Sequence, residues 1–362
     1  MPIHHLMVGT WTPPGYIFTV AFDDVAHSLE LVKQTAIPEN EPISWMAFSH
    51  DKKNIYGAAL KNWNSFAVAS PTEISHQTSL PLQDVRAQAP DADSRAIFLN
   101  AASVPPYAVY ANPFYSFAGN GTVISVTPSG ALSANDITQF ELDNNSGIHG
   151  SVFDPKGRYL YSADLSANKI WVHWRSDAAL PGLQLVGKVD GPAENDHPRW
   201  VAMHPSGNYL YALMESGNRI CEFAINKDDH LPVFTQKSFP LVPEGTERAA
   251  DYRADVVALS SSAGHLFATT RGPDENAKGF VSTFALDQNG SIQRLIATMP
   301  TDTSGGHSNA VSPADFSDEW VAIVEDVKGY LDMYRWENET LSRVARLQVD
   351  HDGFGMNAIW YD

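Results

Sequence analysis

Residues 147–163 read GIHGSVFDPKGRYLYSA and residues 197–213 read HPRWVAMHPSGNYLYAL. Both stretches follow one plan: an apolar run, an x-Pro-x-Gly turn at Pro155 or Pro205, and a second run centred on Tyr159-Leu160-Tyr161 or Tyr209-Leu210-Tyr211. Short alternating runs rich in aromatic and β-branched residues, bounded by Pro and Gly, are strands. A third strand follows each pair after a polar loop, as Asn168-Lys169-Ile170-Trp171-Val172 and Asn218-Arg219-Ile220-Cys221-Glu222. Weaker copies run from Ile43 to Val68, Asp255 to Leu286 and His307 to Trp336, with a degenerate one between Asp91 and Val126. From Gly157 to Gly207 is 50 residues and from Gly207 to Gly264 is 57, so a chain of 362 residues holds about seven units at propeller-like spacing.

The termini carry complementary fragments of the unit. Gly355-Met356-Asn357-Ala358-Ile359-Trp360 matches the first strand begun at His307, while Leu6–Thr10 and Tyr16–Val20 match second and third strands. Joined, they complete a seventh blade and close the ring, which removes the open edges that a β-array must otherwise protect. The expectation is therefore an all-β, seven-bladed β-propeller, a single domain over residues 1–362, with the C-terminal strand as first strand of the closing blade. The stretch from Ser103 to Tyr115, VPPYAVYANPFY after its Ser, fits the repeat least. It reads as an ordered insertion between second and third strands, either a lid or a packing element.

Composition bounds the partners. With 24 Lys+Arg against 42 Asp+Glu the formal charge is −18, which disfavours nucleic acid and anionic membranes. Hydrophobic residues make up 43% and charged residues 18%, enough apolar content for a large core and too little charge for disorder. The start, MPIHHLMVGTW, lacks the basic and apolar segments of a secretory leader, and no apolar run reaches membrane-spanning length, so a cytoplasmic location is expected. Cys221, the lone cysteine, reads as a buried thiol.

In an antiparallel meander, the start of each first strand lies beside the end of each second strand, on the face opposite the x-Pro-x-Gly turn. Two rings of residues should converge at that mouth. The first-strand ring holds Ser44, His149, Arg199, Asp255, His307 and Gly355; the second-strand ring holds Thr10, Leu60, Leu165, Glu215, Arg271 and Glu325. These positions vary from Gly to Arg while the strands around them stay apolar, as expected of a functional site on a repeated scaffold. His149, Arg199, Glu215 and Arg271 are the candidate catalytic set, with His307 and Glu325 beside the arginines as candidate substrate contacts. Asp164, Asp251 and Asp255 read as turn or solvated carboxylates. No His-Glu-x-x-His, paired-Cys, Gly-x-Ser-x-Gly or dinucleotide-loop motif occurs, and the arginine pair would repel a cation, so no metal or other cofactor is expected.

Several segments resemble the fungal-type 3-carboxy-cis,cis-muconate lactonizing enzymes, within the wider seven-bladed lactonase family that includes bacterial 6-phosphogluconolactonases. They include His5–Gly15, Glu41–Met46, Gly147–Gly150, Asp196–Pro205, Gly217–Glu222, Thr303–Pro313, the tail Gly353–Asp362 and the Pro-Pro-Tyr-Ala-Val-Tyr stretch. The resemblance implies a cytosolic, cofactor-free, homo-oligomeric cycloisomerase of protocatechuate breakdown, acting on a small tricarboxylate, with catalytic positions at His149, Arg199, Glu215 and Arg271. In such a reaction Arg199 and Arg271 would bind carboxylates and stabilise an enolate-like dianion. A proton donor must serve the carbon: His149, which titrates near neutrality, or Glu215 with a raised pKa, unless Glu215 instead orients His149 or Arg199. Two other readings remain: a sugar-lactone hydrolase on the same scaffold, and a non-enzymatic binding propeller.

Overall fold

The computed structural model describes residues 2–82, 94–114, 119–178 and 181–362. The start of the degenerate repeat at Asp91 and the end of the aromatic stretch at Tyr115 lie outside the described residues. Among those described, the strands form seven four-stranded antiparallel sheets arranged as a propeller. Numbered from the first complete blade in the chain, the innermost strands of blades 1 to 6 are Trp45–Phe48, Arg95–Ala101, Ile148–Phe153, Pro198–Met203, Arg253–Leu259 and Val311–Pro313. Blade 7 is the expected seam: Phe354–Trp360 pairs with Ile3–Thr10, which continues into Tyr16–Asp23 and Ser28–Ala36. Each innermost strand packs against the innermost strands on either side, from blade 1 round to blade 7 and back.

The repeated turn explains its sequence. Gly157 N–H donates to the Asp154 carbonyl at 2.8 Å and Gly207 N–H to the His204 carbonyl at 2.8 Å, with both glycines at positive φ, 64° and 68°. A glycine adopts that conformation without the steric cost other residues incur. Middle strands are buried almost throughout, whereas the outermost strands alternate exposed and half-buried residues. The core therefore lies between neighbouring blades, where Trp171, Tyr161, Tyr211, Phe267 and Phe284 are fully enclosed.

The aromatic stretch differs from expectation. Ala108–Phe114 is not an insertion but the second strand of blade 2, paired with Arg95–Ala101 on one side and Asn120–Val126 on the other. The preceding Pro-Pro segment is the turn between first and second strands, on the face away from the mouth. The Arg175 guanidinium from blade 3 fixes it by donating to the carbonyls of Val104 at 2.9 Å and Pro105 at 3.1 Å. Its apolar run is a strand buried on both faces, which carries no polar alternation to reveal it.

Candidate active site

Among the described residues, five blades carry a β-bulge at the mouth end of their innermost strand. Ile148 pairs with Asp164 and Gly150 with Ala163, which leaves His149 as an extra residue; Pro198 pairs with Met214 and Trp200 with Leu213, which does the same for Arg199. The register shifts likewise at Ala96/Phe98, between Ala254 and Val257, and opposite Gly355–Asn357 in blade 7. A bulge bends the strand and re-aims the extra side chain. Ile97, His149, Arg199, Asp255 and Met356 are aimed this way, and all line one cavity of about 270 Å³.

Every blade contributes to that cavity, but not alike. Blades 4 to 6 supply Arg199, Glu215, Arg253, Asp255, Arg271 and His307, whereas blades 7, 1, 2 and 3 supply Trp11, Trp45, Ile97, Phe114, Leu165 and Met356. The cavity thus has a charged wall facing an apolar one. Trp200 packs edge-on against Trp45 and Phe98, with ring centroids 4.4 and 5.0 Å apart. His149 stands where the walls meet, 5.2 Å from the Phe114 ring and 6.2 Å from that of Trp200. A larger groove of about 800 Å³ opens on the far face around Ser49, Tyr107 and Thr127, with His50, Asp51 and Lys53 as the charged or titrating side chains among its described lining and no arginine among them.

The charged wall is a closed network. Arg199 donates from Nη1 to Glu215 Oε2 at 2.5 Å, and its Nη2 lies 3.0 Å from Asp255 Oδ1. Arg271 reaches the same two carboxylates, with Nε 3.3 Å from Asp255 Oδ1 and Nη2 3.8 Å from Glu215 Oε2, and donates from Nη1 to the His307 carbonyl at 3.0 Å. Asp255 is buried, at 1% exposure, and accepts the backbone N–H of Asn309 at 2.7 Å. This corrects the reading of Asp255 as a turn or solvated carboxylate. The sequence signal was available, since Asp255 stands in the same first-strand ring as His149 and Arg199. Asp164 is a buried turn carboxylate, accepting from Gly147 N–H at 2.8 Å and the Trp171 indole at 2.9 Å. Asp251 lies on the surface and pairs with Arg248 at 2.9 Å.

Charge and burial set the protonation states. Burial pushes Glu215 up, but Arg199, Arg271 and Arg253 outweigh it, and the net pKa falls below the ordinary carboxylate value. Glu215 is therefore ionised and holds Arg199. Burial first, then the charges of Arg199 and Arg271, hold His149 well below the usual imidazole range, and its Nδ1 has no hydrogen-bond partner among the described residues. His307, half-exposed and stacked on Trp11 at 5.0 Å, is shifted the other way by its 2.8 Å contact with Asp326. Glu325 does not line the cavity: its carboxylate accepts the N–H groups of Val327 at 3.2 Å and Lys328 at 2.7 Å, and burial raises its pKa. Glu325 therefore caps a turn, and its candidacy as a substrate contact is withdrawn. Gly355, Thr10 and Leu60 also fall outside the lining. Among the described residues, no three His, Cys, Asp or Glu side chains come together as a metal site would require, and no helix is long and apolar enough to cross a membrane.

A single ring of seven four-stranded blades is the architecture that the seven-bladed propeller lactonases share. The family model for that group, "Lactonase, 7-bladed beta-propeller", matches residues 5–340, and the chain belongs to this family. Within it, the chain is 57% identical, over 100% of both lengths, to the carboxy-cis,cis-muconate cyclase of Neurospora crassa. It is 31% identical to muconate cycloisomerase 1 of Cutaneotrichosporon cutaneum over 46% of this chain and 44% of that one. Among solved structures, the periplasmic gluconolactonase of Pseudomonas aeruginosa superposes with a TM-score of 0.79 at 16% identity, covering 99% of each chain, a likeness of fold.

Proposed function

We propose that this protein is a carboxy-cis,cis-muconate cyclase, an intramolecular lyase that closes 3-carboxy-cis,cis-muconate to a carboxymuconolactone. The observation that carries the reading is the 57% identity to such a cyclase along the whole of both chains, and the two-walled cavity supports it. A trianionic diene has carboxylates for the arginine wall and a flat hydrocarbon backbone for Trp45, Phe114 and Trp200.

One carboxylate oxygen adds to the far carbon of a double bond conjugated with another carboxylate. The C–O bond forms, the π-electrons move onto the conjugated carboxylate as an enolate-like dianion, and its α-carbon then takes a proton. Arg199 and Arg271 bind the acceptor carboxylate and stabilise the charge that develops there. Glu215 and Asp255 hold both guanidiniums in place beforehand, so little reorganisation accompanies the reaction. What favours His149 over Glu215 as donor is that Glu215 is ionised and committed to Arg199. His149 is neutral in the empty cavity, held so first by burial and then by Arg199 and Arg271; the substrate's carboxylates counter the arginine charges and so favour the imidazolium in the bound complex.

This reading carries the finer expectations with it: a single domain, a cytoplasmic homo-oligomer, and a place in the β-ketoadipate route of protocatechuate breakdown. The test is incubation with 3-carboxy-cis,cis-muconate, following loss of its ultraviolet absorbance with and without EDTA, beside a sugar-lactone hydrolysis assay. Absorbance loss unaffected by EDTA is expected. Hydrolysis of the lactone without cyclisation would overturn the proposal in favour of a lactonase.

A further inference from the structure

Arg253 was not among the sequence candidates, yet it lines the cavity and also the open depression of about 540 Å³ beside it, bounded by Ser216, Tyr252 and Gly272. It opens the innermost strand of blade 5 directly after the segment 241–252, which Asn218 anchors: its amide donates to the Tyr252 carbonyl at 2.6 Å and the Ala249 carbonyl at 3.4 Å.

Its register partner across the strand pair is Arg271. Like charges directly opposite each other repel and are disfavoured unless an anion lies between them. The carboxylate within reach of both is Glu215: its Oε1 lies 4.0 Å from Arg253, beyond hydrogen-bond distance, while its Oε2 lies 3.8 Å from Arg271 and accepts the 2.5 Å hydrogen bond of Arg199. Arg253 therefore keeps a largely solvated guanidinium, 66% exposed, with no side-chain hydrogen bond among the described residues. In the interior, Arg199 and Arg271 are balanced by Glu215 and Asp255. Among the described residues that line the cavity, three arginines thus meet two carboxylates, and Arg253 has the longest contact of the three, 4.0 Å.

Resting on the cyclase reading above, we propose that Arg253, opposite Arg271, is the specificity residue for the substrate's third carboxylate, the 3-carboxylate that a simple muconate lacks. The group enters from the depression and settles between the two guanidiniums, taking the place that their repulsion leaves for an anion. Arg253 binds rather than reacts, so its loss should appear in substrate affinity and not in the chemical step.

The experiment uses the full chain and the variants Arg253→Met and Arg253→Lys, with tricarballylate and glutarate as tri- and dicarboxylate competitive inhibitors. One charge-assisted contact corresponds to a change of about tenfold or more in affinity. Arg253→Met should raise KM for carboxymuconate and Ki for tricarballylate by about that factor, with kcat within about threefold of wild type and the glutarate Ki unchanged; Arg253→Lys should recover part of the loss. An unchanged KM, or equal losses for both inhibitors, overturns the proposal. If the wild-type protein failed to cyclise carboxymuconate, the functional reading would fall. Calorimetric titration of tricarballylate and glutarate into wild type and Arg253→Met would still decide whether Arg253 reads a third carboxylate.

Discussion

Asp255→Asn removes a charge that two buried arginines share, while keeping an oxygen that can accept the Asn309 N–H. In the native site Asp255 Oδ1 lies 3.0 Å from Arg199 and 3.3 Å from Arg271, and the carboxylate is 1% exposed. Breaking a buried ion pair by removing one partner costs about 3–5 kcal/mol, because the remaining charge stays in a poorly solvated place. Glu215 still contacts both arginines, at 2.5 and 3.8 Å, so the lower end, about 3 kcal/mol, is expected. An unfolding entropy of about 2.1 cal/mol/K per residue over 362 residues gives roughly 0.8 kcal/mol/K, so the melting temperature should fall by about 4 °C. Arg271 loses the carboxylate beside its Nε, and kcat/KM should drop about a hundredfold, at the lower end for loss of an oriented donor. Asp251→Asn is the control, since its exposed pair with Arg248 should contribute less than about 1 kcal/mol. Scanning calorimetry and steady-state turnover measure both effects. If Asp255→Asn melted and turned over like Asp251→Asn, the shared-carboxylate account of the site would be wrong.

Other outcomes follow from the same geometry. Arg199→Ala and Arg271→Ala should each lower kcat/KM for carboxymuconate by about a hundredfold or more while the propeller stays folded by circular dichroism; near-normal turnover by both would remove the arginines from the mechanism. Because burial and the two arginines depress His149, kcat/KM should fall as pH rises through a value below 6.5, whereas the kcat profile should turn at higher pH, with substrate carboxylates present. His149→Ala should abolish that limb and Glu215→Gln retain it; the reverse would make Glu215 the donor. His173, buried between Phe140 and Trp171, is pushed by desolvation from 6.5 to about 4. Its folded pKa lies below its unfolded one, so its contribution is whole above pH 6.5 and lost as pH falls toward 4, up to about 3 kcal/mol. Urea titrations at pH 7 and pH 4.5 should therefore differ less in His173→Phe than in wild type. Finally, the −18 charge should make kcat/KM rise as salt is added from low ionic strength; a steep fall would mean the mouth field dominates.

How much of this was legible in the sequence depended on which residues repeat. The x-Pro-x-Gly turns and the Tyr-Leu-Tyr runs are repeated because every blade needs the same packing, so the seven-bladed ring and its seam could be read directly. Ala108–Phe114 was misread because a strand buried on both faces shows neither alternation nor polar boundaries. The placing of His149 and Arg199 followed from their equivalent positions, but the bulges that aim them did not: one extra residue in a ladder leaves no mark in a single strand's pattern. Asp255 occupied the right position and was set aside on residue type alone, since an isolated Asp is usually a surface or turn residue. What distinguished it was Arg199 one blade before and Arg271 on the neighbouring strand, a relation that exists only once the ring is closed. Glu325 shows the converse, because equivalence in the ring could not reveal that backbone N–H groups two and three residues on would claim its carboxylate.

The pairing of Glu215 and Asp255 with Arg199 and Arg271 changes how an acidic protein can take an anionic substrate. Two buried guanidiniums without counter-charges would be costly to enclose and poorly fixed in direction. Two carboxylates make the empty cavity stable and rigid, at the expense of most of its net attraction for an anion. Affinity then has to come from hydrogen-bond geometry inside, from the apolar wall beneath the diene, and from a cation outside the balanced set. Arg253 at the mouth is such a cation, and in the proposed mechanism His149 is a second source of positive charge once substrate is bound. Positive charge is thereby added where the substrate enters and where its carbon is protonated. The arginines between those two points stay matched by acids of the protein, so they can stabilise the dianion without gripping the product lactone so tightly that its release limits turnover.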